Sequence, residues 1–163
     1  MASEWVMYIS VVAIGVLAIA GVTLTFNAIN TNTLENTVEV GLNEIVNTVA
    51  EELKNILEIG LNTDPLTRVV INRTLNLPTG LSGHAYEVHF RVLPGAKHWY
   101  IEAVDIDDPE VDSIPYETTI PWRNVTLSSA GGTGLPVIYS YETQHFLSFV
   151  RNEGSDAFRI IIW

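Results

Sequence analysis

The chain has 163 residues, and nineteen acidic against eight basic side chains give it a formal net charge of −11. Nucleic-acid binding needs a basic stripe, which this balance excludes, and the lack of cysteine removes disulfides, thiol catalysis and thiolate metal sites. The length supports one ordinary domain, or a small domain plus an elongated part.

All seven prolines lie at or after Pro65. A proline-free stretch can be continuous helix in a way the remainder cannot, so the sequence divides into 1–63 and 64–163. Near the N-terminus Glu4 precedes an apolar run from Trp5 to Val22, interrupted only by Ser10 and the Tyr8 hydroxyl. A membrane-spanning helix needs about 20 apolar residues rising ~1.5 Å each, and this run is just long enough. Ala18-Ile19-Ala20 offers a signal-peptidase-like site, but no basic residue precedes the run and it exceeds a typical signal-peptide core. A membrane-competent helix is the better reading.

Beyond a link rich in Asn and Thr (Thr23 to Thr37), Leu34, Val38, Leu42, Ile45, Val49, Leu53 and Ile56 recur at an eleven-residue period. That period is close to an undistorted α-helix, so these residues form one helix-packing stripe. Glu35, Glu39, Glu44, Glu51, Glu52, Lys54 and Glu58 lie off it. The apolar face must therefore meet another helix or the chain's own β half. One helix from about Glu4 to Leu61 is expected, with Leu42→Asp or Val49→Asp blocking self-assembly while the β half stays folded. Asn and Thr are weak helix formers, so the bland alternative for the link is a flexible polar stalk behind an anchor.

From Thr67 the period changes to two. In "YEVHFRV" Tyr86, Val88, Phe90 and Val92 share one face, with Glu87, His89 and Arg91 on the other. Further strands are expected in "TRVVINRTLNL", "HWYIEAVDI", "TTIPWRNVTL", "PVIYSYETQHFLSFV" and "AFRIIIW", separated by Gly- and Pro-containing turns. Six or seven short strands without a crossover helix predict an antiparallel, immunoglobulin-like β-sandwich, so the fold class is α+β. "FRIIIW" is apolar on both faces, as expected of a central strand or one covered by a neighbouring subunit.

No catalytic constellation is legible: "SSAGGTG" lacks the Lys of a phosphate loop, and no G-x-S-x-G occurs. An enzyme is not expected, and no cofactor or metal is assigned. His84 and His89 read as opposite faces of one strand, with His98 and His145 in others, as solvated or core histidines. Asp105, Asp107, Asp108, Glu110 and Asp112 are spaced for Ca²⁺ but lack the central Gly and terminal Glu of an EF-hand, which favours a solvated acidic loop. Asn72-Arg73-Thr74 and Asn124-Val125-Thr126 are candidate N-glycosylation sequons.

An acidic residue close to the N-terminus, an apolar helix, an amphipathic helical extension and a β-sandwich together resemble archaeal type IV pilins and the related adhesion filaments and archaellins. The order covers the whole chain; the specific motif is confined to about Ser3 to Gly21. The resemblance implies a structural subunit of an extracellular filament at the cell surface, used for adhesion or attachment, with N-terminal helices bundled in the filament core. It implies insertion in the cytoplasmic membrane before assembly, removal of a basic leader by a prepilin peptidase, and an assembly platform. No basic leader is visible here, so on this reading Met1 is the first residue of the mature subunit. Because a carboxylate beside a spanning run needs a cationic partner, Glu4 is expected to pair with the α-amino group of Met1, its own or an adjacent subunit's. The alternative is a membrane-anchored extracytoplasmic stator or binding module, similar to the accessory anchors of the archaellum, which needs no self-packing.

Overall fold

The computed structural model describes residues 2–64, 66–108, 111–130, 134–154 and 157–163, and of residues 2–4, 31 and 32 the backbone alone. Its elements are one long helix, α1 (Ala2–Leu61), followed by β1 (Val69–Leu75), β2 (Tyr86–Arg91), β3 (His98–Asp105), β4 (Tyr116–Pro121), β5 (Val125–Ser129), β6 (Val137–Tyr139), β7 (His145–Arg151) and β8 (Phe158–Ile162). This is the α+β architecture expected: a long apolar helix followed by a β-sandwich. The chain forms two compact units, Met1–Thr37 and Val38–Trp163.

In the first unit the Asn- and Thr-rich link is helical, not a flexible stalk. Its hydroxyls explain how weak helix formers are accommodated. Thr23, Thr25, Thr33 and Thr37 each donate to the carbonyl four residues earlier, at 2.7–2.9 Å, as Ser10 does to Val6. A hydroxyl satisfied in this way makes no demand on water or on a competing backbone conformation.

In the second unit, Val38, Leu42, Ile45, Val49, Leu53 and Ile56 are buried in one cluster with residues of both sheets. Six of the seven stripe residues therefore meet the chain's own β half, and Leu34 is the exception at 46% exposure. The buried face is also wider than the stripe, because Val46, Ala50 and Leu57 flank it. This corrects the expectation that Leu42 and Val49 face other subunits. It also explains why the compact unit begins at Val38 although the proline-free segment ends near residue 63: the last part of α1 is the sandwich's core helix. At Gly60 helix and sheet approach closely, since a Cβ there would fall inside van der Waals contact with the Phe149 ring. Past the helix end, the buried Arg151 guanidinium donates to the carbonyls of Thr63 and Asp64 at 3.2 and 2.6 Å. It supplies the positive charge that a helix C-terminus favours and that α1's own last turn lacks.

The strands form two four-stranded sheets, ordered β1-β7-β8-β5 and β4-β3-β2-β6. β2 follows the period read from sequence: Tyr86, Val88 and Phe90 are buried and Glu87, His89 and Arg91 are half-buried. Burial pushes the Tyr86 phenol up to about 12. Its hydroxyl donates to the Pro78 carbonyl at 2.6 Å, which satisfies the polar end of a core side chain. β8 is central in its sheet, but Arg159 is exposed and Trp163 is 57% exposed on its outer face, so it is not the strand covered on both sides that one reading of "FRIIIW" required. Two further expectations change. "TTIPWRNVTL" and "PVIYSYETQHFLSFV" each turn within the run and supply two strands, β4 with β5 and β6 with β7, giving eight strands among the described residues. The sandwich is also not wholly antiparallel, because β5 pairs with β8 in parallel. No crossover helix is needed, since the chain between them passes through β6 in the opposite sheet before returning as β7.

His145 opens β7 with its side chain buried, and desolvation holds its pKa below the ordinary 6.5, although Glu142 opposes the shift. A histidine with a depressed folded pKa is neutral in the fold but takes up a proton when the chain unfolds. Stability is therefore expected to fall as pH drops below about 6.5, by up to ~1.4 kcal/mol per pH unit for one proton. Urea titrations at pH 7.5 and 5.5 measure this; His145→Gln should flatten the difference, and an unchanged slope in the variant would assign it elsewhere.

Candidate functional site

α1 contains one stretch long and apolar enough to cross a membrane, and none of it is buried within the chain. Trp5, Val6, Met7, Tyr8, Ile9 and the large apolar residues that follow to Ile29 are all exposed, Leu17 and Leu24 at 71%. Apolar surface on this scale, on every side of a helix, needs a non-aqueous environment. The hydroxyl geometry suits one, because Ser10, Thr23 and Thr25 leave no donor unmet. Around Ala18, Gly21 and Thr25 the helix surface dips into a shallow groove flanked by Leu17, Phe26 and Ile29. Small residues between large ones let a second helix approach closely. Met1 and the Glu4 side chain, the expected assembly pair, lie outside the described residues.

Both sequon asparagines are exposed. Asn72 lies within the edge strand β1 opposite Ser148, and Asn124 is the last residue of the β4–β5 turn. Asn124 also borders a cleft of about 800 Å³ between the β2–β3 and β4–β5 loops, lined among others by Lys97, His98, Trp122 and Arg123. The Trp122 indole donates to the Ala96 carbonyl at 2.9 Å, and the Arg123 guanidinium lies 5.6 Å from the centre of its ring. The residues lining it include no hydroxyl, thiol or carboxylate. His98 meets Glu117 at 3.1 Å, and hydrogen bonds from His98 and Tyr100 hold that carboxyl below its ordinary range.

Each histidine lies beside a carboxylate: His84 with Asp105, His89 with Glu87, His98 with Glu117 and His145 with Glu142. His84 differs from the sequence reading, because it sits before β2 in a tight turn and not on a strand face. Leu81 and His84 exchange backbone hydrogen bonds at 2.9 and 2.8 Å across Ser82 and Gly83, both at positive φ (51° and 91°). Such a two-residue turn requires positive φ at both central positions, and Ser82-Gly83 is a sequence that allows it. Asp105 likewise departs from a solvated acidic loop: it ends β3, opposite Tyr86, and is buried. Asp107, Asp108 and Asp112 are exposed, and Glu110 lies outside the described residues. The turn and the strand pairing bring one ligand atom each of His84, Asp105 and Asp107 within 4.8 Å of one another. Sequence spacing could not show this, since it depends on β2–β3 register; the "SGH" turn signal facing "DID" was the clue available.

Set against protein-family models, curated proteins and solved structures, the chain matches none of them.

Proposed function

We propose that this chain is the structural subunit of an extracellular type IV pilus-like filament that serves adhesion or attachment, with residues 5–29 of α1 bundled among copies in the filament core. The observation that carries this reading is the wholly exposed apolar face of α1 from Trp5 to Ile29. It favours a filament over an anchor because the uncharged stretch continues as helix through the link, from Trp5 to Leu34. That is on the order of 45 Å at the standard rise, longer than a bilayer core of about 30 Å. A membrane-anchored stator or binding module remains the second reading, supported by the same apolar run. In the filament the subunit is held in the membrane before assembly, and a prepilin peptidase and assembly platform act on it.

Electron microscopy of material sheared from the cell surface tests the proposal. Uniform filaments containing the chain support it, and a chain found only in the membrane fraction as detergent-extracted monomers favours the anchor. In this reading Glu4 pairs with a cationic group of an adjacent subunit and fixes axial register. Glu4→Gln then yields few filaments despite normal membrane insertion, whereas a helix-capping role, worth roughly 0.3–1 kcal/mol, leaves the yield near wild type. The β-sandwich forms the outer layer and carries glycans at Asn72 and Asn124. Peptide mass spectrometry of native filaments checks this, and two unmodified asparagines would remove the glycans from the account.

A further inference from the structure

We infer that His84, Asp105 and Asp107 form a binding site for a divalent transition-metal ion such as Zn²⁺ or Mn²⁺. The inference stands apart from the choice between filament and anchor, because all three residues belong to the sandwich. His84 Nδ1 lies 2.8 Å from Asp105 Oδ2 and is shielded from solvent, yet it makes no hydrogen bond. At that distance the two atoms would bond if the ring N–H pointed at the oxygen. Nitrogen and oxygen converge without facing each other, as two ligands of a common third atom do. The two atoms are close enough for an ion pair, yet no directed hydrogen bond joins them, and a cation in line with the nitrogen's lone pair would give it a directed partner.

Asp105 carries the same implication from the other side. Its side chain is only 2% exposed, and its Oδ1 accepts the Asp107 backbone N–H at 2.8 Å. Its Oδ2 is left facing a nitrogen that does not donate to it. A buried carboxylate in this position needs a cation. Asp107 is exposed, so it can close over an ion arriving from solvent and leaves a path of entry.

The ligands are held before any ion arrives. The positive-φ turn fixes the backbone of His84, and the Tyr86–Asp105 pairing fixes Asp105 beside it. Metal–ligand bonds of about 2.1 Å place neighbouring ligands roughly 3.0 Å apart in an octahedron and about 3.4 Å apart in a tetrahedron, so the 2.8 Å contact must open by about 0.2–0.6 Å and Asp107, within 4.8 Å, must move in. One imidazole with two carboxylates selects a transition ion over Ca²⁺ and Mg²⁺, which prefer oxygen alone. In a chain without cysteine, the ion would tie the 81–84 turn to the end of β3 as a disulfide does elsewhere.

The test uses the full chain in detergent after treatment with a chelator. Calorimetry is expected to show one equivalent of Zn²⁺ or Mn²⁺ binding, with a raised Tm, and Co²⁺ is expected to give visible absorption bands of nitrogen-containing ligation. His84→Gln should abolish those bands and, like Asp107→Asn, weaken Zn²⁺ binding by about tenfold or more, with unchanged far-UV circular dichroism. Asp107→Asn changes an exposed side chain, so it keeps the test valid if substitution at a buried position disturbs the fold. No binding of any of these ions, binding equally tight in both variants, or tighter binding of Ca²⁺ than of Zn²⁺ would overturn the assignment.

Discussion

Leu42→Asp is expected to unfold the unit Val38–Trp163, with loss of its cooperative thermal transition. Leu42 is 0% exposed and packs in the cluster shared by α1 and both sheets. Removing the leucine alone costs about 2–5 kcal/mol. An unpaired carboxylate in its place adds several more, either as buried charge or as the work of protonating it. A domain of this size is stable by about 5–15 kcal/mol, so the substitution consumes most or all of that margin. Val49→Asp, also at 0% exposure, should do the same. Circular dichroism melting of the purified chain decides the matter. A sandwich that melts normally with Asp at either position would mean that the helix does not form its core.

Ile14→Asp is expected to have the opposite profile. Ile14 is exposed in the middle of the apolar run, so the sandwich should melt as in wild type, within about 0.5 kcal/mol. Assembly should be lost, because a charge at the centre of an apolar helix costs about 2.5–3.5 kcal/mol even by the mildest insertion scale, and in a polymer the cost recurs in every subunit. Pelleting of sheared surface material, compared with Ile14→Leu, measures it. Ordinary yields of filaments from Ile14→Asp would show that this face meets water in the final state. Together the two aspartates separate the roles of one helix: Leu42 holds the sandwich and Ile14 serves what lies outside it.

Why the sequence showed some of this and not the rest is a matter of range. The 3.6-residue period of α1 and the alternation of Tyr86, Val88 and Phe90 are local, because each residue's neighbour decides which face it occupies. The stripe's partner is not local. Its period was equally compatible with a second helix and with the chain's own sheet, and only the burial of Leu42, Val49 and Ile56 in one cluster with strand residues such as Phe149 and Tyr86 selects the sheet. β5 and β8 pair in parallel through a route no turn signal encodes. Trp122-Arg123-Asn124 was absorbed into one expected strand although it forms the turn between two. The metal-ligand cluster needed β2–β3 register and the Ser82-Gly83 turn together, so neither the histidine spacing nor the aspartate spacing alone revealed it.

The central claim, that residues 5–29 of α1 are buried among copies of themselves, is tested most directly by disulfide cross-linking in native material. The chain has no cysteine, so single substitutions report without background. Cysteine placed in turn at Val16, Leu17, Ala18 and Ile19 samples every face of the helix within about one turn. The account predicts that mild oxidation gives cross-linked dimers at one or more of these positions, and that a second cysteine at Thr25 extends them to a ladder of higher oligomers. Monomers alone at all four positions, under oxidation that links a control pair, would contradict it.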